Sequence, residues 1–176
     1  MRRIFALLPL LALGARAQDL RWGFQAGATF PKGDLARALE DATGFGGGLH
    51  LLADFSGPHA ARARFEATTF KRGQDALGAD ARLTAVRLGA DYLCFLQGGV
   101  GSGPYLVAGL DHTWWRLETT SPGLDRTDTR GALGASLGLG YQFTRWLGAE
   151  AGTFSSRFRD RDGAARGLTL AITFRY

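Results

Sequence analysis

The last nine residues, Leu168-Thr169-Leu170-Ala171-Ile172-Thr173-Phe174-Arg175-Tyr176, alternate without a break. Leu168, Leu170, Ile172, Phe174 and Tyr176 are large and apolar, while Thr169, Ala171, Thr173 and Arg175 are small or polar. Successive side chains of a strand point to opposite faces, so this segment reads as a β-strand with one apolar face. A chain built from many such strands must bury those faces in a core or present them to lipid, and the rest of the sequence repeats the pattern.

Period-two reading finds seven further segments. In 20–30, Leu20, Trp22, Phe24, Ala26, Ala28 and Phe30 oppose Arg21, Gly23, Gln25, Gly27 and Thr29. In 45–55, Phe45, Leu49, Leu51, Ala53 and Phe55 oppose Gly46, Gly48, His50 and Asp54, and in 61–70, Ala63, Phe65 and Ala67 oppose Arg62, Arg64, Glu66 and Thr68. In 82–96, Val86, Leu88, Ala90, Tyr92 and Cys94 oppose Arg87, Gly89 and Asp91. Segment 130–143 sets Leu133, Ala135, Leu137, Leu139, Tyr141 and Phe143 against Ala132, Gly134, Ser136, Gly138, Gly140 and Gln142. Segment 146–158 divides Leu147, Ala149 and Ala151 from Gly148, Glu150 and Gly152.

Segment 105–118 is apolar on both faces, and a magnitude decides its phase. A cationic side chain facing lipid at mid-bilayer costs about 2–4 kcal/mol and an acid somewhat less. Asp111 near mid-strand is therefore expected to point inward, which turns Leu106, Ala108, Leu110 and Trp114 outward and leaves His112 near the outer interface.

Connections alternate between long polar stretches (31–44, 71–81, 119–129, 159–165) and short ones (56–60, 97–103, 144–145). Long outer loops, short periplasmic turns and both ends on the periplasmic side are the pattern of a membrane barrel. Aromatics gather toward both strand ends. Trp22, Phe55, Phe95, Tyr141, Phe143, Trp146, Phe174 and Tyr176 are placed at the periplasmic interface, and Phe30, Phe45, Trp114 and Phe158 at the outer one. In lipid an open sheet edge leaves backbone groups unsatisfied, so eight strands are expected to close into an antiparallel up-and-down barrel.

The amino end reads as a cleaved signal peptide over 1–17: Arg2 and Arg3, an apolar stretch from Ile4 to Leu13, then Ala15-Arg16-Ala17 before a cut between Ala17 and Gln18. Ten apolar residues are too few for a helix to cross about 30 Å of hydrocarbon. Gln18 rather than cysteine at the new end argues against a lipid anchor. Removing Arg2, Arg3 and Arg16 takes Lys+Arg from 21 to 18 against 16 acids, so the net charge falls from +5 to +2. No basic patch argues for nucleic acid. The single cysteine, Cys94, forbids an internal disulfide.

The inward set mixes many glycines with six cations (Arg21, Arg62, Arg64, Arg87, Arg130, Arg175) and five acids (Asp54, Glu66, Asp91, Asp111, Glu150). An eight-stranded barrel is just wide enough for its side chains to fill it. Because isolated buried charges are costly and these come in compensating numbers, a salt-bridged plug is expected rather than a charge-lined pore or proton path.

Catalytic-looking strings carry less weight. Gly134-Ala135-Ser136-Leu137-Gly138 has the letters of a nucleophile elbow, but it sits inside an alternating strand and no histidine follows His112. Gly98 to Gly103 lacks the lysine and helix of a phosphate loop. Asp160-Arg161-Asp162-Gly163 lacks the distant glutamate of a calcium loop. His50, His59 and His112 have no metal spacing. Within 31–44, Asp34 is expected to cap a short helix with Leu35 and Leu39 on one side, covering the barrel mouth, touching lipid or a partner, or packing on its own loop.

Taken together, residues 19–176 resemble the small eight-stranded outer-membrane barrels of the OmpX and OmpA transmembrane-domain type, often described as porin-family outer-membrane proteins. The terminal aromatic strand (Leu168, Leu170, Ile172, Phe174, Tyr176) resembles the signal that barrel assembly machinery reads. The chain is expected to lack the peptidoglycan-binding domain of full-length OmpA-like proteins. The resemblance implies a cell outer-membrane location, with outer-membrane lipid or lipopolysaccharide around the barrel and periplasmic chaperones and assembly machinery as biogenesis partners. It implies no cofactor, no metal and no enzymatic activity, and it names no extracellular partner.

Three functions follow for comparison: a structural or loop-displaying barrel, a small passive channel, and a lipid-modifying barrel enzyme, for which His112 has only Thr113 and Thr119 as nearby hydroxyls. A soluble lipocalin-like binder would turn its apolar face inward and its charges outward, opposite to the pattern read here.

Overall fold

The computed structural model describes residues 19–55, 57–72, 80–97, 99–121, 124–158 and 164–176. The leader 1–17 with its Ala17–Gln18 junction, and the string 160–163, lie outside the described residues. Eight strands follow in order: β1 (Asp19–Lys32), β2 (Gly44–Asp54), β3 (His59–Arg72), β4 (Asp80–Phe95), β5 (Gly103–Ser121), β6 (Leu124–Gln142), β7 (Leu147–Phe158) and β8 (Ala164–Arg175). One short helix, α1 (Asp34–Leu39), lies between β1 and β2. Each strand pairs with its sequence neighbour and the order closes on itself. β1 meets β8 antiparallel from Gly23↔Arg175 to Lys32↔Arg166, so neither strand is left as an edge.

The alternation holds around the wall. Leu20, Trp22, Leu49, Phe65, Leu88, Leu110, Leu137, Leu170 and Ile172 are all exposed, with Leu110 at 71%. Asp111 is buried, which sets the phase of β5 as expected, with Leu106, Leu110 and Trp114 outward. A soluble monomer rarely exposes a contiguous apolar patch beyond a few hundred Å². Here the apolar band circles the barrel, and lipid is the solvent it fits. Stacked rings seal the seam at the end of the barrel where β1 begins and β8 ends: Trp22 on Tyr176 at 4.9 Å and Phe24 on Phe174 at 4.6 Å.

Two sequence expectations about strand ends need correction. Residues 119–129 do not form a polar loop, because β5 and β6 run through them in continuous register from Thr119↔Arg126 to Ser121↔Leu124. Each of these strands has 19 residues, against roughly nine to eleven needed to cross the bilayer. The hairpin therefore rises well past the wall, where water bathes both faces and the alternation that marks a lipid-facing strand disappears. Asp34 does not cap α1. Gly33 holds the cap position at φ 61°, without a side-chain hydrogen bond, and Asp34 is the first helical residue, paired with Arg37.

Candidate functional site

The lumen is stacked in three layers, each fixed by strand parity. At the end where β1 begins, Leu52, Ala60, Leu93, Phe95, Val100, Tyr105 and Val107 form a buried apolar cluster. At the opposite, outer end as the loop lengths predict it, Phe70, Ala85, Trp115, Ala132, Phe154 and Ala165 form a second one, closed from above by Leu35 and Leu39 of α1. The helix therefore covers the barrel mouth, one of the roles open to it from sequence. Between the two clusters lie the charges.

Arg62 and Arg64, two residues apart on β3, point the same way and straddle Asp91 of β4. Their Nε groups donate to Oδ2 and Oδ1 of Asp91 at 2.8 and 2.9 Å. Arg62 then reaches across the barrel to β7 and grips Glu150 with both terminal nitrogens, at 2.5 and 3.0 Å. Such a fork matches carboxylate geometry and is among the stronger pairings a side chain can make. Arg64 also meets Glu66 at 2.8 Å, Asp111 at 3.5 Å and the Ser136 hydroxyl at 3.1 Å.

Arg87 lies 3.3 Å from Glu66 and 3.7 Å from Asp111, with its guanidinium 4.6 Å above the Phe154 ring. Gln25 donates to Glu66, and Thr113 donates to Asp111 at 2.8 Å. Lower down, the Tyr105 hydroxyl donates to Glu150 at 2.8 Å and accepts from Arg175 at 3.1 Å. Arg175 is 3.9 Å from Glu150 and lies over the Phe95 and Tyr105 rings.

The connected set thus holds four guanidinium groups (Arg62, Arg64, Arg87, Arg175) against four carboxylates (Glu66, Asp91, Asp111, Glu150). Glycines on facing strands make the room. A Cβ on Gly109 would fall 2.0 Å from Asp91 Oδ1, and one on Gly140 would fall 2.2 Å from the Tyr105 ring. The cavity lined by Arg62, Arg64, Glu66, Arg87, Asp91 and Glu150 has a volume of about 80 Å³, well below the 300–1,000 Å³ of ordinary ligand pockets.

Not every predicted charge joins this set. Arg21 sits at the rim where β1 begins, bonded to Asp54 and Asp19 at 2.9 Å each. Arg130 is corrected: it pairs with Asp128 at 2.6 Å on the protruding hairpin, half-exposed and outside the lumen. Its parity is inward, but parity says nothing about height. The same distinction moves two aromatics. Phe95 is 1% exposed inside the barrel against Tyr105, and Phe158 leans on Trp115 in the outer cluster, so neither belongs to an interfacial belt. Tyr105, Trp115 and Phe154 were missed as lumen residues, although their parity opposes that of the exposed positions on their own strands.

The catalytic-looking strings dissolve on inspection. Ser136 lies mid-strand with its hydroxyl held by Arg64. His50 is buried in the lumen, His59 contacts the Tyr92 hydroxyl at 2.6 Å, and His112 sits edge-on to Trp114. Among the described residues no group of three or more metal-binding side chains converges.

No protein-family model matches the chain, and no curated protein matches it in sequence. Solved structures do. The N-terminal β-barrel domain of Pseudomonas aeruginosa OprF superposes with a TM-score of 0.60 at 13% identity, covering 89% of this chain and 97% of that one. This chain has the fold of the small outer-membrane barrels. Ail, the attachment invasion locus protein of Yersinia pestis, in complex with the heparin analogue sucrose octasulfate, gives 0.62 at 14% identity, covering 89% and 96%. Neisserial surface protein A gives 0.59 at 19% identity, covering 89% and 95%. At these identities the likeness speaks for the architecture, and the matching proteins are outer-membrane barrels.

Proposed function

We propose that this chain is an integral protein of the cell outer membrane whose barrel is a closed structural support, and whose work is done by what it displays outside. The observation that carries this reading is the lumen's layering: a charge-balanced network between two apolar clusters, the outer one covered by α1. A water-filled path would have to pass Leu52, Leu93, Phe95 and Tyr105 at one end and Phe70, Trp115 and Phe154 at the other. No feature among the described residues supports passive conduction or catalysis. Among the described residues, the tall β5–β6 hairpin, with the Arg130–Asp128 and Arg116–Glu118 pairs on its surface, extends well beyond the bilayer wall.

The reading is tested on intact cells. With Cys94 replaced by serine, Thr127→Cys should react with a membrane-impermeant maleimide, whereas Arg145→Cys in the turn between β6 and β7 should react only after the outer membrane is opened. Labelling of Arg145→Cys alone on intact cells would reverse the orientation and remove the hairpin from the cell surface.

A further inference from the structure

The β1–β8 seam is a ladder of outward pairs: Phe24↔Phe174, Ala26↔Ile172, Ala28↔Leu170, Phe30↔Leu168 and then Lys32↔Arg166. Immediately beyond the last apolar rung, two cations stand directly opposite each other, and both are exposed. On the other side of β8, Arg157 of β7 faces Ala164 and is therefore the diagonal neighbour of Arg166. It too is exposed, on the outward face of β7. Directly opposed like charges destabilise a sheet, and diagonal neighbours about 7–8 Å apart remain within reach of long side chains.

Among the described residues no carboxylate lies within ion-pair distance of Lys32, Arg157 or Arg166. Asp34, Glu118 and Asp128 pair instead with Arg37, Arg116 and Arg130. At the opposite end of the same seam the outward positions are Trp22 and Tyr176, stacked and uncharged. This seam thus ends in aromatics at one interface and in cations at the other.

We propose that Lys32, Arg166 and Arg157 form a binding site, on the outside of the barrel at the outer interface, for the phosphomonoester of a net-anionic lipid head group, as distinct from the choline-capped phosphodiester of a zwitterionic lipid. The inference rests on the outer-membrane reading above. Three features point to a lipid rather than a soluble anion. The side chains project outward from the wall rather than into the lumen. They stand one outward step past the hydrocarbon-facing rungs, which is the depth of a head group. A phosphate between them would turn the repulsion of the Lys32↔Arg166 rung into two charge-assisted contacts, with arginine able to bind in a bidentate manner. Each cation near an anionic lipid surface favours association by roughly five-fold.

The opposed charges give the test its sign. The full-length protein, purified from outer membranes, is reconstituted into nanodiscs of phosphatidylcholine alone or mixed with bis-phosphorylated lipid A or its dephosphorylated form. Unfolding midpoints and the amount of co-retained lipid A are then measured. In phosphatidylcholine, Lys32→Gln with Arg166→Gln should unfold at the same or a higher temperature than the unmodified protein, because repulsion is relieved. With bis-phosphorylated lipid A it should unfold at a lower one, and retained lipid A should fall several-fold. Dephosphorylated lipid A should not distinguish the two proteins. Arg130→Gln, on the hairpin, should leave lipid retention unchanged.

If the double variant does not assemble, 1 M salt on the unmodified protein should release the retained lipid A to the same degree. A shift of the same sign in both lipids, or undiminished retention, overturns the site. Equal stabilisation in phosphatidylcholine by inorganic phosphate or sucrose octasulfate would overturn the lipid assignment in favour of a soluble polyanion. Failure of the outer-membrane reading would appear separately, as absence of the protein from the outer-membrane fraction.

Discussion

Glu150 is where the lumen network is most exposed to a single substitution. It accepts both terminal nitrogens of Arg62, at 2.5 and 3.0 Å, and the Tyr105 hydroxyl at 2.8 Å, with Arg175 3.9 Å away. Replacing it with alanine leaves Arg62, whose side chain is 3% exposed, with Asp91 as its one remaining carboxylate. That carboxylate is already shared with Arg64. Four carboxylates against four guanidinium groups become three against four, inside a lumen closed at both ends. Removing one partner of a buried pair typically costs about 3–5 kcal/mol, chiefly because the other charge is left uncompensated. The solvent-facing pair Arg130–Asp128 is the internal standard, since exposed pairs are worth about 1 kcal/mol or less. Denaturant unfolding in detergent, followed by tryptophan emission and by heat-modifiable gel mobility, should therefore show Glu150→Ala destabilised several times more than Arg130→Ala. Glu150→Gln, which keeps the shape and the Tyr105 contact but not the charge, should fall between them. Equal midpoints for Glu150→Ala and Arg130→Ala would refute the claim that the network is buried and mutually compensating.

Leu137 is 64% exposed on the lipid face, so Leu137→Arg should cost about 2–4 kcal/mol by the same unfolding measurement in a bilayer. A lipid-phase photoprobe should label position 137 and spare the adjacent lumen position Ser136, and the opposite labelling would invert the wall. Deleting Tyr176 removes its stack on Trp22 and its backbone bond to the Trp22 carbonyl at 2.8 Å. Outer-membrane levels should fall for this variant and for Phe174→Asp. Unchanged levels would separate the terminal strand from assembly.

Much of this molecule was legible because lipid enforces a strict period of two. Leu133 to Phe143 and Leu168 to Tyr176 show their faces without ambiguity, and a single acid, Asp111, set the phase of β5. The same parity puts the charges on the inward face, where Arg62, Arg64, Arg87, Asp91, Asp111 and Arg175 are buried. Arg130 failed because parity identifies a face but not a height along the strand. The long hairpin was missed for a related reason, since a strand in water on both sides has no reason to alternate. Phe95 and Phe158 were misplaced because their position near a strand end was weighted above their parity. The apolar layers followed from parity as well, at Tyr105, Trp115 and Phe154, but only the barrel's closure shows that they meet. The α1 cap could not be read, because Gly33 takes a left-handed φ and supplies no side chain to recognise.

The central claim is that the lumen is closed by its own side chains, and single-channel conductance tests it most directly. The protein purified from outer membranes is inserted into a planar bilayer and held at a range of voltages in concentrated salt. A barrel sealed by the Phe95–Tyr105 and Trp115–Phe154 layers should pass no steady current, and Glu150→Ala should lower its stability without creating ion selectivity. Steady, ion-selective current from the unmodified protein, with Glu150→Ala changing selectivity and sparing stability, would contradict the account.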